Sequence, residues 1–136
     1  MATKKQILIR LGEHVRDAVR KLEIRAYQAL TSATPVDTGF ARAGWSPSTG
    51  SPAPGPAGPP SSRDAAVVQA QSLFGMHDRM AKSIAGGYVL SQGTVFIVNN
   101  VRYITFLNNP GTSAQAPAMF VEQAVRQAVA AVKREL

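Results

Sequence analysis

The sequence predicts an α+β fold: a small antiparallel sheet set between long N- and C-terminal helices, with a long Pro/Gly/Ser-rich loop. Three observations predict it. Apolar residues recur at helical spacing near both ends, a β-branched and aromatic run lies at residues 94–98, and residues 46–62 hold 6 Pro, 3 Gly and 5 Ser with no charge. At 136 residues the chain has the length of one domain, expected over residues 1–136.

The first element runs over residues 4–31, which contain no Pro and a single Gly. Leu8, Leu11, Val15, Ala18, Leu22, Ala26 and Ala29 follow the three-and-four spacing of an amphipathic helix, and that stripe is expected to face the core. The opposite side carries Glu13, Arg16, Asp17, Arg20, Lys21 and Arg25, with Asp17 and Lys21 placed for an i, i+4 pair. The helix is expected to end before Ala33-Thr34-Pro35, since a residue preceding proline is pushed out of the helical region. Residues 46–62 cannot bury enough apolar area to offset the entropy of ordering them, so they read as an extended loop.

Ser61 or Ser62 is placed to cap a second helix, with Asp64 in its first turn and Val67, Ala70, Phe74, His77, Ala81 and Ile84 on its inner face. His77 reads as a partly buried, satisfied histidine. Tyr88–Ser91 and Thr94–Val98, separated by Gln92-Gly93, read as a β-hairpin. Tyr103–Leu107 is a short apolar element, and Asn108-Asn109-Pro110-Gly111 is a turn signal. From Pro117 the chain reads as helix to its end. Phe120, Val121, Ala124, Val125, Ala128, Val129 and Val132 give that helix apolar residues on more than one face, as if a neighbouring subunit covered it.

Apolar residues make up 45% and charged residues 17% of the chain, with 15 Lys plus Arg against 8 Asp plus Glu, a net +7. The absence of Cys excludes disulfides, thiolate metal sites and cysteine nucleophiles, and His14 and His77 are too far apart for a local metal motif. No cofactor or metal site is expected. No phosphate-binding loop, dinucleotide fingerprint or serine elbow occurs, and no segment has the apolar run needed to span a bilayer. Without a leader-like start, the chain is expected to be made in the cytoplasm.

Asp37-Thr38-Gly39 has the letters of an aspartic-protease triplet, which would need two chains to supply a dyad. A helix rather than an apolar strand leads into it, Phe40 follows it, and the all-β body of that family is missing, so no enzymatic activity is expected. A turn in which Asp37 bonds forward and Gly39 takes a conformation other residues avoid accounts for the same letters. A second alternative is a basic nucleic-acid-binding module. The first third holds 8 basic residues against 4 acids, but lacks the aromatic interleaving of single-strand binders.

Two blocks carry a more specific signal. Thr34-Pro35-Val36-Asp37-Thr38-Gly39, with Ala41-Arg42-Ala43 and Trp45, resembles the "T-P-V-D-T-G-R-A-R-x-x-W" block of tail-completion and head–tail joining proteins of long-tailed bacteriophages. Asn99-Asn100-Val101, Tyr103-Ile104 and Leu107, then Gly111, Ser113, Gln115-Ala116-Pro117 and Met119, resemble that family's second block. The chain departs from the pattern at Arg102, Asn108 and Thr112 and by one extra residue around Pro110, all in one region.

The resemblance implies a twisted sheet flanked by terminal helices, in a virion subunit that forms a ring at the neck between capsid and tail. The ring would be hexameric, contact the stopper, tail terminator or tail tube, and pass double-stranded DNA without reading its sequence. Within the blocks, Asp37 and Gly39 are expected to shape the turn, and Trp45 to anchor the chain on the sheet or a neighbouring subunit. Arg42 pairs either with Asp37 or across an interface. Asn99 and Asn100 are expected to satisfy loop backbone, and Tyr103 and Leu107 to pack in the core. Gln115 and Pro117 belong to the motif without an assigned role. The loop at 46–62 is expected to order against a partner, since prolines restrict it beforehand.

Overall fold

The computed structural model describes residues 3–36, 38–56, 58, 60, 62–102, 104–108 and 119–136. Their order is α1 (Lys4–Ala33), α2 (Phe40–Ala43), β1 (Trp45–Thr49), α3 (Arg63–Gly87), a 3-10 turn (Leu90–Gln92), β2 (Val95–Asn99), α4 (Ile104–Asn108) and α5 (Phe120–Glu135). The fold is α+β, mostly helical, with one two-stranded antiparallel sheet and long helices near both ends.

Helix α1 starts at a capping box. Thr3 Oγ1 accepts the Gln6 amide, and Gln6 Oε1 accepts the Thr3 amide. Ser62 caps α3 by accepting the Ala65 amide at 3.3 Å, as its position in the sequence suggests. Helix α3 runs unbroken through Gly75, with Ala66, Ala70, His77 and Ala81 buried.

The main core gathers Tyr27 and Leu30 of α1, Trp45 of β1, Ala81 of α3 and Ala124 of α5. The small alanines let three helices approach closely around the two rings. A second cluster joins Phe40 and Ala43 of α2, Ala70 of α3 and Val101 after β2.

The predicted core stripe of α1 does not face the core. Ala26 is buried, and Ala18 and Ala29 are half-buried, but Leu8, Leu11, Val15 and Leu22 are exposed. The face that meets the body is turned about 100° from it and consists of Glu23, Ala26, Tyr27, Leu30 and Thr31. All five lie in the C-terminal half of the helix, so the amino-terminal half has no buried residue. Asp17 pairs with the neighbouring Arg16 at 3.0 Å. On α5, Phe120, Ala124, Ala128 and Val132 form one buried stripe, Val121 and Val129 are half-buried, and Val125, off that stripe, is exposed.

The predicted hairpin is replaced by a different pairing. β2 pairs with β1, in the register Trp45↔Asn99, Pro47↔Ile97 and Thr49↔Val95, and all of β1 after Trp45 lies inside the stretch read as loop. Tyr88–Gln92 instead closes on itself. The Tyr88 hydroxyl donates to the Gly93 carbonyl at 2.6 Å, Gln92 Oε1 accepts the Val89 amide at 2.9 Å, and Arg20 Nε donates to the Tyr88 carbonyl at 2.7 Å. These contacts override the strand propensity of the four residues.

The Gly50 amide donates to the Thr94 carbonyl at 2.8 Å, which fixes the alternation of the ladder. By that parity the backbone groups of Pro47 point away from β2, where a missing N–H costs no ladder bond. Those of Val95 and Ile97 point away from β1.

Candidate interaction surface

The turn after α1 is built around one hydrogen-bonded chain. Trp45 Nε1 donates to Thr34 Oγ1 at 2.8 Å, and Thr34 Oγ1 donates to the Leu30 carbonyl at 2.7 Å. Trp45 is therefore anchored in the chain's own core, against Tyr27, Leu30 and Ala81. Gly39 has φ of +86° at the start of α2, a left-handed conformation that glycine adopts without strain. Thr38 Oγ1 accepts the Phe40 amide at 3.3 Å. Asp37, Tyr103, Gln115 and Pro117 lie outside the described residues.

Arg42 is half-buried with its guanidinium carbon 4.4 Å from the centre of the Phe74 ring, a cation–π contact. Its Nε is buried and hydrogen-bonds to no described residue. The arginine thus serves the α2–α3 contact. Leu107 is half-buried on α4.

The two sequence blocks interlock. Asn99 Nδ2 donates to the Ala41 carbonyl at 2.8 Å, and Asn99 Oδ1 accepts the Val101 amide at 3.0 Å. A Cβ on Gly44 would stand 2.7 Å from Val101 Cγ2 and 2.8 Å from Asn99 Oδ1, so only glycine lets the blocks approach this closely. Asn100 Nδ2 donates to the Ala53 carbonyl at 3.3 Å, tying the Pro-rich segment to the end of β2.

No family model, curated protein or solved structure matches the chain. Among the described residues no three His, Asp or Glu side chains gather as a metal site, and no helix is long and apolar enough to cross a membrane. His77 is consumed structurally, its Nδ1–H donating to the buried Ala43 carbonyl at 2.7 Å.

Two features stand out instead. The first is the amino-terminal half of α1, where Leu8 and Leu11 are each 57% exposed and Ile7, Ile9 and Val15 are exposed beside them. The second is Glu23, which is 3% exposed, with neither carboxylate oxygen hydrogen-bonded to a described residue. Burial pushes its pKa up to about 8, so it is held largely as the neutral acid at pH 7.

Sequence reasoning missed four positions: Thr34, Gly44, Asn108 and Glu23. Asn108 ends α4, yet its Oδ1 accepts the Val121 amide at 2.9 Å and its Nδ2 donates to Glu122 at 2.9 and 3.1 Å. It thereby caps α5 from 13 residues away, and its hydrogen bond holds the Glu122 carboxyl below the usual range. Thr34 and Gly44, inside the first block, and Asn108, in the turn signal, carried sequence signals without these roles; Glu23 carried none.

Proposed function

We propose that this chain is a structural, non-enzymatic subunit of the neck of a long-tailed bacteriophage virion. In this reading it forms a closed, hexameric ring that joins tail to head and passes double-stranded DNA. Its partners are further copies of itself and the stopper, tail terminator or tail tube. It is made in the host cytoplasm and ends in the particle.

The observation that carries this reading is the uncovered half of α1. Contiguous exposed apolar surface marks a contact site. A head-to-tail contact whose rotation closes gives a ring. The close meeting of the two blocks at Asn99, Ala41 and Gly44 supports the resemblance on which the virion assignment rests.

The nucleic-acid alternative is less well supported. Lys4, Lys5 and Arg10 are interleaved with exposed Ile7, Leu8 and Ile9, a mixture suited to a protein contact rather than to a phosphate track. The protease alternative has helices on both sides of Asp37-Thr38-Gly39 and no strand leading into it.

Electron microscopy of particles made without the protein tests the proposal. Full heads separated from finished tails are expected; intact virions would refute it. DNA binding by the purified protein is expected to be shallow and erased by salt, and a sequence preference at physiological salt would favour the binding module. Asp37→Asn is expected to leave assembly intact, whereas loss of a peptide-cleaving activity at acidic pH would restore the protease reading.

A further inference from the structure

The outer margin of β2 is an open edge without the usual guards. The backbone groups of Val95 and Ile97 point away from β1, and the same parity turns those of Asn99 outward. No described residue hydrogen-bonds to any of them. Natural proteins blunt such edges with charge, proline, a bulge or a covering element. Val95-Phe96-Ile97-Val98-Asn99 has neither charge nor proline, and its register with β1 is unbroken. Helix α1 does not close the margin: a hollow of about 350 Å³, lined by Val19, Leu22, Glu23, Tyr88, Val95 and Ile97, lies between it and β2.

The strand that fits this edge is the same strand of a second copy. An antiparallel pair related by a twofold axis at Ile97 sets Ile97 opposite Ile97 of the second copy and Val95 opposite Asn99 of the second copy. Each of these pairs then exchanges both of its backbone hydrogen bonds, so every outward group of the strand is satisfied. Any other register leaves part of the strand unpaired. On the other side-chain face, Phe96 stands across from Val98 of the second copy, and the twofold axis repeats the match. Aromatic and β-branched residues so opposed stabilise antiparallel sheets. Phe96 and Val98 are each half-buried and keep surface for that contact. Although the chain carries a net +7, the paired strands bring no like charges together.

We infer that two copies of this chain join edge to edge through β2, in the antiparallel register centred on Ile97, to form a continuous sheet of order β1-β2-β2-β1. The contact does not rest on the ring reading. It uses a different surface from the amino-terminal half of α1, and, being twofold, it closes at two chains.

Phe96 and Val98 test the register. In it the two face each other at about 4.5 Å between Cα atoms, within disulfide range, whereas like positions lie about 7–8 Å apart. The chain has no cysteine of its own. Phe96→Cys and Val98→Cys proteins, mixed and oxidised, are expected to give a disulfide-linked dimer, and each alone far less of it. Paired charges give a second readout. Phe96→Lys/Val98→Glu opposes unlike charges across the contact, whereas Phe96→Lys/Val98→Lys opposes like ones, and both place two charges on the same strand. In sedimentation at graded concentrations the first is expected to dimerise at least about tenfold more tightly than the second, with equal helical content by circular dichroism. The inference is overturned if the mixed cysteine variants give no more dimer than either alone, or if the two charge variants associate equally.

A crosslink in a protein whose loss leaves particles intact keeps this contact and removes the neck role. Separated heads and tails with no crosslink keep the role and remove this contact.

Discussion

Gly44 stands where the turn after α1, the side chain of Asn99 and Val101 converge. Gly44→Ala places a methyl group within 3 Å of two side-chain atoms, one of them on the β-branched, already buried Val101. Overpacking of this kind costs about 1–3 kcal/mol, which a lowered urea midpoint at constant slope should reveal. Glu23 gives a different signature. Its folded-state pKa, about 8, lies above that of an unfolded carboxyl, so the folded state holds more protons between roughly pH 4.5 and 8. Stability is therefore full below that window and falls as pH rises through it, by at most about 1.4 kcal/mol per pH unit. Glu23→Gln is expected to flatten this slope in urea titrations from pH 5 to 8, and an unchanged slope would show that other groups cause it. Glu23 was not legible in the sequence, because its burial depends on what the tertiary fold brings around it, whereas Gly44 was marked only by its place inside the first block.

At the scale of elements, helices were easier to anticipate than strands. Periodicity identified α1 and α3, and Ser62 marked the start of α3 because helix signals and caps are local. Periodicity could not say which face of α1 turns inward. That choice follows from Tyr27 and Leu30 packing on Trp45, which is distant in sequence. β1 was hidden by its own composition: Trp45-Ser46-Pro47-Ser48-Thr49 reads as loop until the ladder places Pro47 on the outer edge. The false hairpin arose because Tyr88–Ser91 has strand-like residues that local hydrogen bonds hold as a turn. The capping of α5 by Asn108 yields a prediction at this scale. Asn108→Ala is expected to cost about 1–2 kcal/mol, the range for losing a helix cap. Hydrogen exchange should rise in the first turn of α5 more than in α3; equal protection in variant and parent would argue that the cap is dispensable.

The whole molecule separates stability from assembly. Its core is formed by the C-terminal half of α1 with α3, α5 and the sheet, whereas the other half of α1 contributes no buried residue. Leu8→Glu/Leu11→Glu should therefore change the urea midpoint by no more than about 0.5 kcal/mol, as expected for surface sites, while abolishing larger species in light scattering. A marked loss of stability would place those leucines in the monomer's own core. Removal of residues 51–60, which leaves β1 whole, should likewise preserve the fold but block incorporation into particles; normal incorporation would show that the Pro-rich segment has no partner. The two sequence blocks made the region around Trp45 and Asn99 legible, but not the recess beside Glu23, since its walls come from helix, turn and strand at once.

Pro47 has a consequence for growth by strand addition. With no amide at the middle of its outer margin, β1 is a poor template for another chain, so the sheet can be extended readily from β2 alone. Each subunit is in effect monovalent. When a neighbour occupies that single margin the template is used up, and fibrillar polymerisation has no second end from which to propagate.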